Sequence, residues 1–459
     1  MWRDHHLDET GRLTAPISLS CAVTTRTPRS VFVFWVPLAA TWLMMSLEGP
    51  ILAAVIARLA DPTYNLAAYG VAFAFAILVE APVIMLMSAS TALAEDGPSL
   101  RRLRVFTWGL NVLATGLLLL VLVPPLYQAL MVDVIGLPAE VARITYGALW
   151  IFLPWPAAIG YRRFLQGILI RADQTRLVAA GTVIRLAAMA ATAIGLALWS
   201  DLPGAWVGAA ALSAGVCVEA VAARVMAGPT LRTLAVTEPA DPDRVPGYRE
   251  IAHFYFPLAL TSLIGLTVQP LLTFFMGRAA SPLESLAVFP VVHALSFVFR
   301  SFGLSYQEAA IALLGRNNEH YRIMARFGLV LGFATSGGLA IVAFSPLASV
   351  WLETISGLTP ELASYAIWPI RIMVPLPALS VYLSLQRAVL VQGRRTSPIS
   401  GATVVEVAGI ALLFPLVGFG LGWAGATAAF IAFLGARLGG NLYLLRPVRQ
   451  VLARRDPPA

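Results

Sequence analysis

The chain has 459 residues, of which 58% are hydrophobic and only 12% charged, with a net charge of +8 and a mean hydropathy of +0.78. A soluble globular protein has roughly a quarter of its residues charged, so the composition excludes that class and points to an integral membrane chain. The two cysteines, Cys21 and Cys217, exclude a disulfide framework and a CxxC metal site.

The first 30 residues lack the apolar core of a signal peptide and read as a retained cytoplasmic tail. Within it Asp4, His5 and His6 could hold a metal, although such a triplet in a tail is ordinarily just solvated. A membrane span needs about 20 predominantly apolar residues. On that basis the sequence predicts twelve helices, near 31–57, 65–94, 104–127, 140–171, 175–199, 204–227, 250–277, 284–314, 323–350, 361–392, 397–419 and 422–445. Several exceed the minimum, so tilts, interfacial extensions or kinks at prolines are expected.

Every basic residue is arginine, and the arginines alternate from loop to loop. Arg101, Arg102 and Arg104 follow the second span, Arg162, Arg163, Arg171 and Arg176 close the fourth, and Arg224, Arg232, Arg244 and Arg249 surround the central loop. Arg316, Arg322 and Arg326 follow the eighth span, Arg394 and Arg395 the tenth, and Arg446, Arg449, Arg454 and Arg455 the last. The opposite loops hold only Arg58, Arg143 and Arg278. Excess arginine marks cytoplasmic loops, so both termini are placed in the cytoplasm, and the net charge reads as topology rather than nucleic-acid binding. The resulting organisation is a tail (1–30), a first six-helix lobe (31–228), a Pro- and Asp-rich linker (229–249), a second lobe (250–446) and a short tail (447–459).

The two halves repeat. FWVPLAATWLMMSLEGPILAAVIAR at 34–58 matches FYFPLALTSLIGLTVQPLLTFFMGR at 254–278 at an offset of 220, pairing Pro37, Pro50 and Arg58 with Pro257, Pro270 and Arg278. With one residue inserted, 153–175 aligns with 374–396 and pairs Pro154 and Pro156 with Pro375 and Pro377. Spans 6 and 12 both open with W-x-G-A, at Trp206–Ala209 and Trp423–Ala426. Six helices repeated in one orientation imply two lobes around a central path, the arrangement that serves alternating access. The matched prolines Pro50, Pro270, Pro154 and Pro375 each remove a backbone hydrogen bond and predict bends, read either as static kinks or as hinges.

Charges inside the spans need a partner or water. They are Glu48, Glu80, Arg185, Glu219, Arg300, Arg371, Arg387, Glu406 and Arg437, with Glu219, Arg387 and Arg437 close enough to predicted ends to snorkel. Glu80 and Arg300 occupy equivalent positions with opposite sign, as do Arg185 and Glu406. Two inverted ion pairs are therefore expected, Glu80 with Arg185 and Arg300 with Glu406, either purely structural or open to the substrate path. Glu48 has no acidic counterpart, since Val268 and Gln269 stand at its position in the second half, and it is a candidate for proton exchange. The lone histidines His253 and His293 read first as hydrogen-bonded core residues.

No GxxxxGK[ST], HExxH or GxSxG motif occurs, so transport is expected to draw on a gradient rather than on catalysis by this chain. Twelve helices in two related halves resemble the multidrug/oligosaccharidyl-lipid/polysaccharide (MOP) exporter superfamily, which includes the MATE drug exporters and lipid-oligosaccharide flippases. Within it, VPLAAT at 36–41, LAAYGVAF at 66–73, FYFPLAL at 254–260 and WPIRIMVPLPAL at 368–379 leading to GRRT at 393–396 look like the progressive ankylosis family. That resemblance implies an all-α carrier of two pseudo-twofold-related six-helix lobes, exporting polyanions such as pyrophosphate, nucleotides or citrate. It also implies a substrate role for Arg371.

The expectation is a monomeric secondary transporter of the inner membrane, with no cofactor, resident metal or nucleic-acid partner, coupled to protons or sodium. Its expected anion-binding residues are Arg371, Arg300, Arg185 and Gln269, and its coupling acids Glu48, Glu80 and Glu406. The alternatives on the same fold are a cationic drug exporter, which would want an acid-lined chamber, and a flippase for a lipid-linked intermediate.

Overall fold

The computed structural model describes residues 27–453 apart from 173, 240–244, 316–317 and 394. The tail residues Asp4, His5, His6 and Cys21, and the arginines Arg244, Arg316, Arg394, Arg454 and Arg455, lie outside the described residues. The described chain is all helical, with one isolated bridge between Ala280 and Ala424.

Twelve helices cross the bundle. They are α1 (Pro28–Ile56), α2 (62–93), α3 (Gly97–Val121), α4 (139–171), α5 (Thr175–Trp199), α6 (Gly204–Met226), α7 (Tyr248–Met276), α8 (Pro282–Leu313), α9 (Tyr321–Phe344), α10 (Pro360–Gln392), α11 (Ser397–Phe414) and α12 (Gly425–Ala453). Away from breaks in five of them, these helices close their backbone hydrogen bonds internally, which lipid demands. Eleven have a stretch long and apolar enough to span by composition alone. The exception is α4, divided at 152–154 and interrupted by Arg162 and Arg163. Helices α2, α6, α8 and α12 are more than half buried, whereas α1, α3 and α7 turn most of their surface outward.

The repeat is visible in the breaks. α1 is interrupted at Leu47 and α7 at Thr267, each three residues before the matched proline, Pro50 or Pro270. α4 breaks just before Trp155, with Pro154 in the break, and α10 before Leu376, with Pro375 there. The cause is shared: a proline donates no N–H and collides with the carbonyl four residues back. One break lacks a twin. α2 opens into a turn over 81–85 around Pro82, while α8 runs unbroken through Pro290.

Spans 6 and 12 correct the sequence alignment. The backbone N–H of Ala205 donates to Asn65 Oδ1 and that of Ala426 to Ser285 Oγ, both at 3.0 Å. The two helices therefore correspond at an offset of 221, not at the 217 implied by the two W-x-G-A motifs. Four residues is about one helical turn, so the slipped match keeps the same face and looks sound in sequence.

Two features join the halves. Near the termini, the first part of α1 packs against the second half of the chain, Trp35 Nε1 donating to Ser305 Oγ (2.9 Å) and Trp42 Nε1 to Glu308 (3.0 Å). The start of α7 packs reciprocally on the first half, where Tyr255 donates to Pro82 O and its ring meets Phe106. At the opposite end, Arg58 donates to Thr354 O and Arg278 to Asp133 O, the latter at 2.7 Å. These are the same contact made twice, because Arg58 corresponds to Arg278 and Asp133 to Thr354 in the repeat. Gly136 (φ +80°) lies against Gly277 and Arg278, and its twin Gly357 (φ +74°) against Arg58 and Ala57. Both positions need positive φ, and a side chain at Gly357 would also crowd the arginine.

The linker is partly folded onto the first half. A short helix, Gly228–Val236, buries Leu231, Gly97 N donates to Thr237 O, and Arg102 donates to the carbonyls of Val245 and Pro246.

Candidate functional site

A cavity of about 410 Å³ lies between the halves, where the breaks in α1, α2, α4 and α7 come together. Helix breaks at membrane depth leave backbone groups that must face protein or a water-filled space, so their convergence and the cavity have one cause. The first half supplies Glu48, Glu80, Trp155, Arg162, Arg163 and Arg185 to its wall, and the second supplies Gln269, Phe289, His293 and Phe297.

Glu48 is the first residue of the second segment of α1, where the helix N-terminus favours a negative charge. It forms an ion pair with Arg185 from α5. Arg185 Nε also lies 3.5 Å from Glu219 Oε2. Glu219 in α6, whose side chain is 0% exposed, receives Arg162 Nη1 at 2.7 Å and Gln166 Nε2 at 3.1 Å. Glu80 closes the first segment of α2 and accepts a hydrogen bond from Trp155 Nε1 at 2.8 Å. Arg163 meets the sulfur of Met87 at 3.8 Å. Three carboxylates and three guanidinium groups thus form one buried cluster in the first half, in which ion pairs link Glu48, Arg185, Glu219 and Arg162. Within it, Glu80 and Arg163 have no ion-pair partner within 4.0 Å among the described residues. On the facing wall Gln269 Nε2 and His293 Nε2 are 3.4 Å apart.

This geometry corrects several expectations. Arg185 pairs with Glu48, brought to α5 by the break in α1, and with Glu219 from the unbroken α6, rather than with Glu80, which Trp155 holds. Arg300 does not bridge to Glu406, which Arg437 Nε holds at 3.1 Å. Glu219 and Arg437 do not snorkel, since both are buried and paired within the bundle, and Arg387 is largely enclosed too. Arg162 and Arg163 belong to the site and not to a cytoplasmic flank. Arg162 lies nine residues before the end of α4, about 13 Å along the axis. The repeat carried a signal for this: their counterparts Leu383 and Ser384 are uncharged, as flanking bases of a topological pattern would not be.

Among the expected substrate groups, Arg185 and Gln269 do line the cavity. Arg371 does not. Its guanidinium stacks on Phe344 and Trp368, both well exposed on the outer face, and Nε donates to Ala343 O at 3.4 Å. Arg300 sits in the second half over the ring of Phe433, at 5.1 Å. Glu48 and Glu80 face the cavity while Glu406 faces Arg437. Among the described residues no cluster of His, Cys, Asp or Glu could hold a metal ion.

No family model and no curated protein sequence matches the chain. Solved structures do match its fold. The chain is similar to the lipid II flippase MurJ in an inward closed conformation, with a TM-score of 0.71, 13% identity, and coverage of 90% of this chain and 87% of that one. It is also similar to an inward-facing multidrug resistance MATE family transporter of the MOP superfamily, with a TM-score of 0.65, 13% identity, and coverage of 92% and 99%. A third is a MOP superfamily transporter from Pyrococcus furiosus, described by the reverse polarity of its binding pocket, with a TM-score of 0.65, 13% identity, and coverage of 94% and 98%. The chain is an all-α polytopic membrane protein with the fold of these MATE and MOP transporters, in two pseudo-twofold-related lobes.

Proposed function

We propose that the chain is a secondary transporter that exports small organic or phosphate-bearing anions across the inner membrane by alternating access, with both termini in the cytoplasm. One observation carries the choice of anions. The wall of the cavity carries three arginines (Arg162, Arg163 and Arg185) against two glutamates (Glu48 and Glu80). A chamber for cationic drugs would need the opposite balance. Arg163 is the cavity-facing guanidinium without a carboxylate, and it can bind carboxylate or phosphate through two parallel hydrogen bonds. Arg185, Gln269 and His293 complete the polar surface around it. Glu80, cavity-facing and outside the ion pairs, is the group through which a proton could couple to the anion.

A second reading, a flippase for a lipid-linked anion, is favoured by an apolar groove of about 890 Å³ between α9, α10 and α12, lined by Gly332, Phe333, Ala378 and Leu438. The test is uptake of labelled citrate, pyrophosphate and ATP into proteoliposomes, beside a cationic dye and a fluorescent lipid-linked anion. Saturable flux of a soluble anion, lost in Arg163→Gln, is expected. Dye flux without anion flux would overturn the proposal, and movement of the lipid alone would select the second reading.

A further inference from the structure

We infer that the second half of the chain has its own binding site for a compact inorganic anion, formed where Arg300 of α8 and Arg437 of α12 meet on Phe433 beside Glu406, with Arg387 of α10 adding its positive charge. The site goes beyond the transport reading, since none of these arginines is among the residues lining the central cavity.

Three observations support it. The first is charge. The buried cluster of the first half holds three carboxylates and three guanidinium groups, ion-paired or not, whereas the interior of the second half sets Glu406 against three arginines. The two acids of α8 do not neutralise the cluster: Glu308 is exposed and bound by Trp42, and Glu284 lies in the first turn of the helix, about 24 Å along the axis from Arg300. His293, two turns from Arg300 on the same helix, adds no negative charge.

The second is position. Arg300 and Arg437 both stack on the ring of Phe433, at 5.1 and 5.6 Å from its centre. One aromatic ring thus holds two like charges that would otherwise separate. Arg437 Nε also lies 3.1 Å from Glu406, so the ring, the carboxylate and the two guanidinium groups form one cluster, and Arg387 acts on it electrostatically through Arg437 and Glu406.

The third is hydrogen bonding. Arg300 leaves two buried donors, Nε and Nη1, without an acceptor, whereas Arg162, Arg163, Arg185 and Arg387 each leave Nε alone. Buried donors of a charged group are rarely left unmade, because their desolvation is not recovered. The donors and the uncompensated charge call for the same ligand, a small anion that accepts several N–H bonds. A compact oxyanion or halide is the ligand inferred, since these arginines line neither the central cavity nor the apolar groove.

The experiment uses the purified full-length chain in detergent, with gluconate as the reference salt at constant ionic strength. Thermal unfolding is followed while gluconate is replaced by chloride, nitrate or phosphate, and binding is read independently from the line width of the chloride-35 magnetic resonance. A saturable rise in unfolding temperature with at least one compact anion is expected. In Arg300→Gln the midpoint should move to about tenfold higher concentration, the effect of losing a charge-assisted contact. In Glu406→Gln, which removes the one internal competitor for the guanidinium groups, the midpoint should move to lower concentration. This gain cannot arise from a damaged fold. Response to chloride identifies a halide site, and response to phosphate alone an oxyanion site; either supports the inference. It is overturned if compact anions act no differently from gluconate, or if Arg300→Gln and Glu406→Gln respond as the parent does. Loss of anion uptake in proteoliposomes leaves this result untouched, so failure of the transport reading and failure of this site are told apart.

Discussion

The repeated arginine contacts at the end remote from the termini make a quantitative prediction about opening. Arg58 to Thr354 O and Arg278 to Asp133 O tie each half to a short helical segment of the other (Val350–Ile355 and Ala129–Val134), and both arginines are exposed there. A hydrogen bond from a charged donor to a carbonyl contributes up to about 3 kcal/mol when buried, and solvent at this end brings it to roughly 1 kcal/mol. Opening this end must break both, so Arg58→Ala together with Arg278→Ala should favour the open form by about 2 kcal/mol, a factor of about 30. Each single substitution should give a factor of about 5. The assay places a cysteine at Leu52, a buried cavity-lining position, with Cys21 and Cys217 replaced by serine. Its rate of reaction with an impermeant maleimide added from the remote side then reports opening. Equal rates in the double variant and the parent would refute the reasoning. So would singles as reactive as the double, since the two bonds would then not restrain one motion.

Three further outcomes follow from the packing. Glu219→Ala leaves Arg162 and Arg185 with reduced compensation in a buried setting, so a loss of about 3–5 kcal/mol is expected. It should appear as a lower unfolding temperature and less protein in the membrane, whereas Glu140→Ala, which breaks only the exposed pair with Arg143, should change neither. Gly167→Ala would place a Cβ 1.9 Å from Ser90 Oγ and 2.3 Å from Met87 O, where the backbone of α2 cannot yield. Thermal unfolding should show a cost of about 1–3 kcal/mol, while Gly109→Ala, with nothing within 4 Å, should be neutral or stabilising. Arg371→Ala should leave anion uptake unchanged, because its guanidinium is engaged with Phe344 and Trp368 outside the cavity; a loss equal to that of Arg163→Gln would return Arg371 to the path.

The twelve helices, the repeat and the matched proline breaks were legible because each rests on a local rule: apolar length, identity at a fixed offset, and the missing N–H of proline. The partners of the charges were not. Glu80 and Arg185 do face one cavity, yet which acid meets Arg185 depends on the azimuth of α1 beyond the break at Leu47, which no periodicity records. The same break brings Glu48 to Arg185 and leaves Glu80 to Trp155. Arg162 and Arg163 were concealed for a different reason. An arginine pair near the end of a long span satisfies the topological pattern and a buried network equally well, and only the uncharged counterparts Leu383 and Ser384 separated the two.

The same residues say why one lobe differs from the other. Equivalent positions carry Glu80 and Arg300, Arg185 and Glu406, Gln166 and Arg387, so two similar backbones hold interiors of different net charge. In the first half the excess is cancelled by Glu48 and Glu219, whose counterparts Val268 and Gly440 cannot take that role. Gly440 is more than a missing acid: a side chain there would stand 3.0 Å from Cγ of Glu406 and crowd the carboxylate that holds Arg437. The second half therefore keeps a positive interior by construction, and under the proposed transport an ion that can come and go would neutralise it as the halves move past each other.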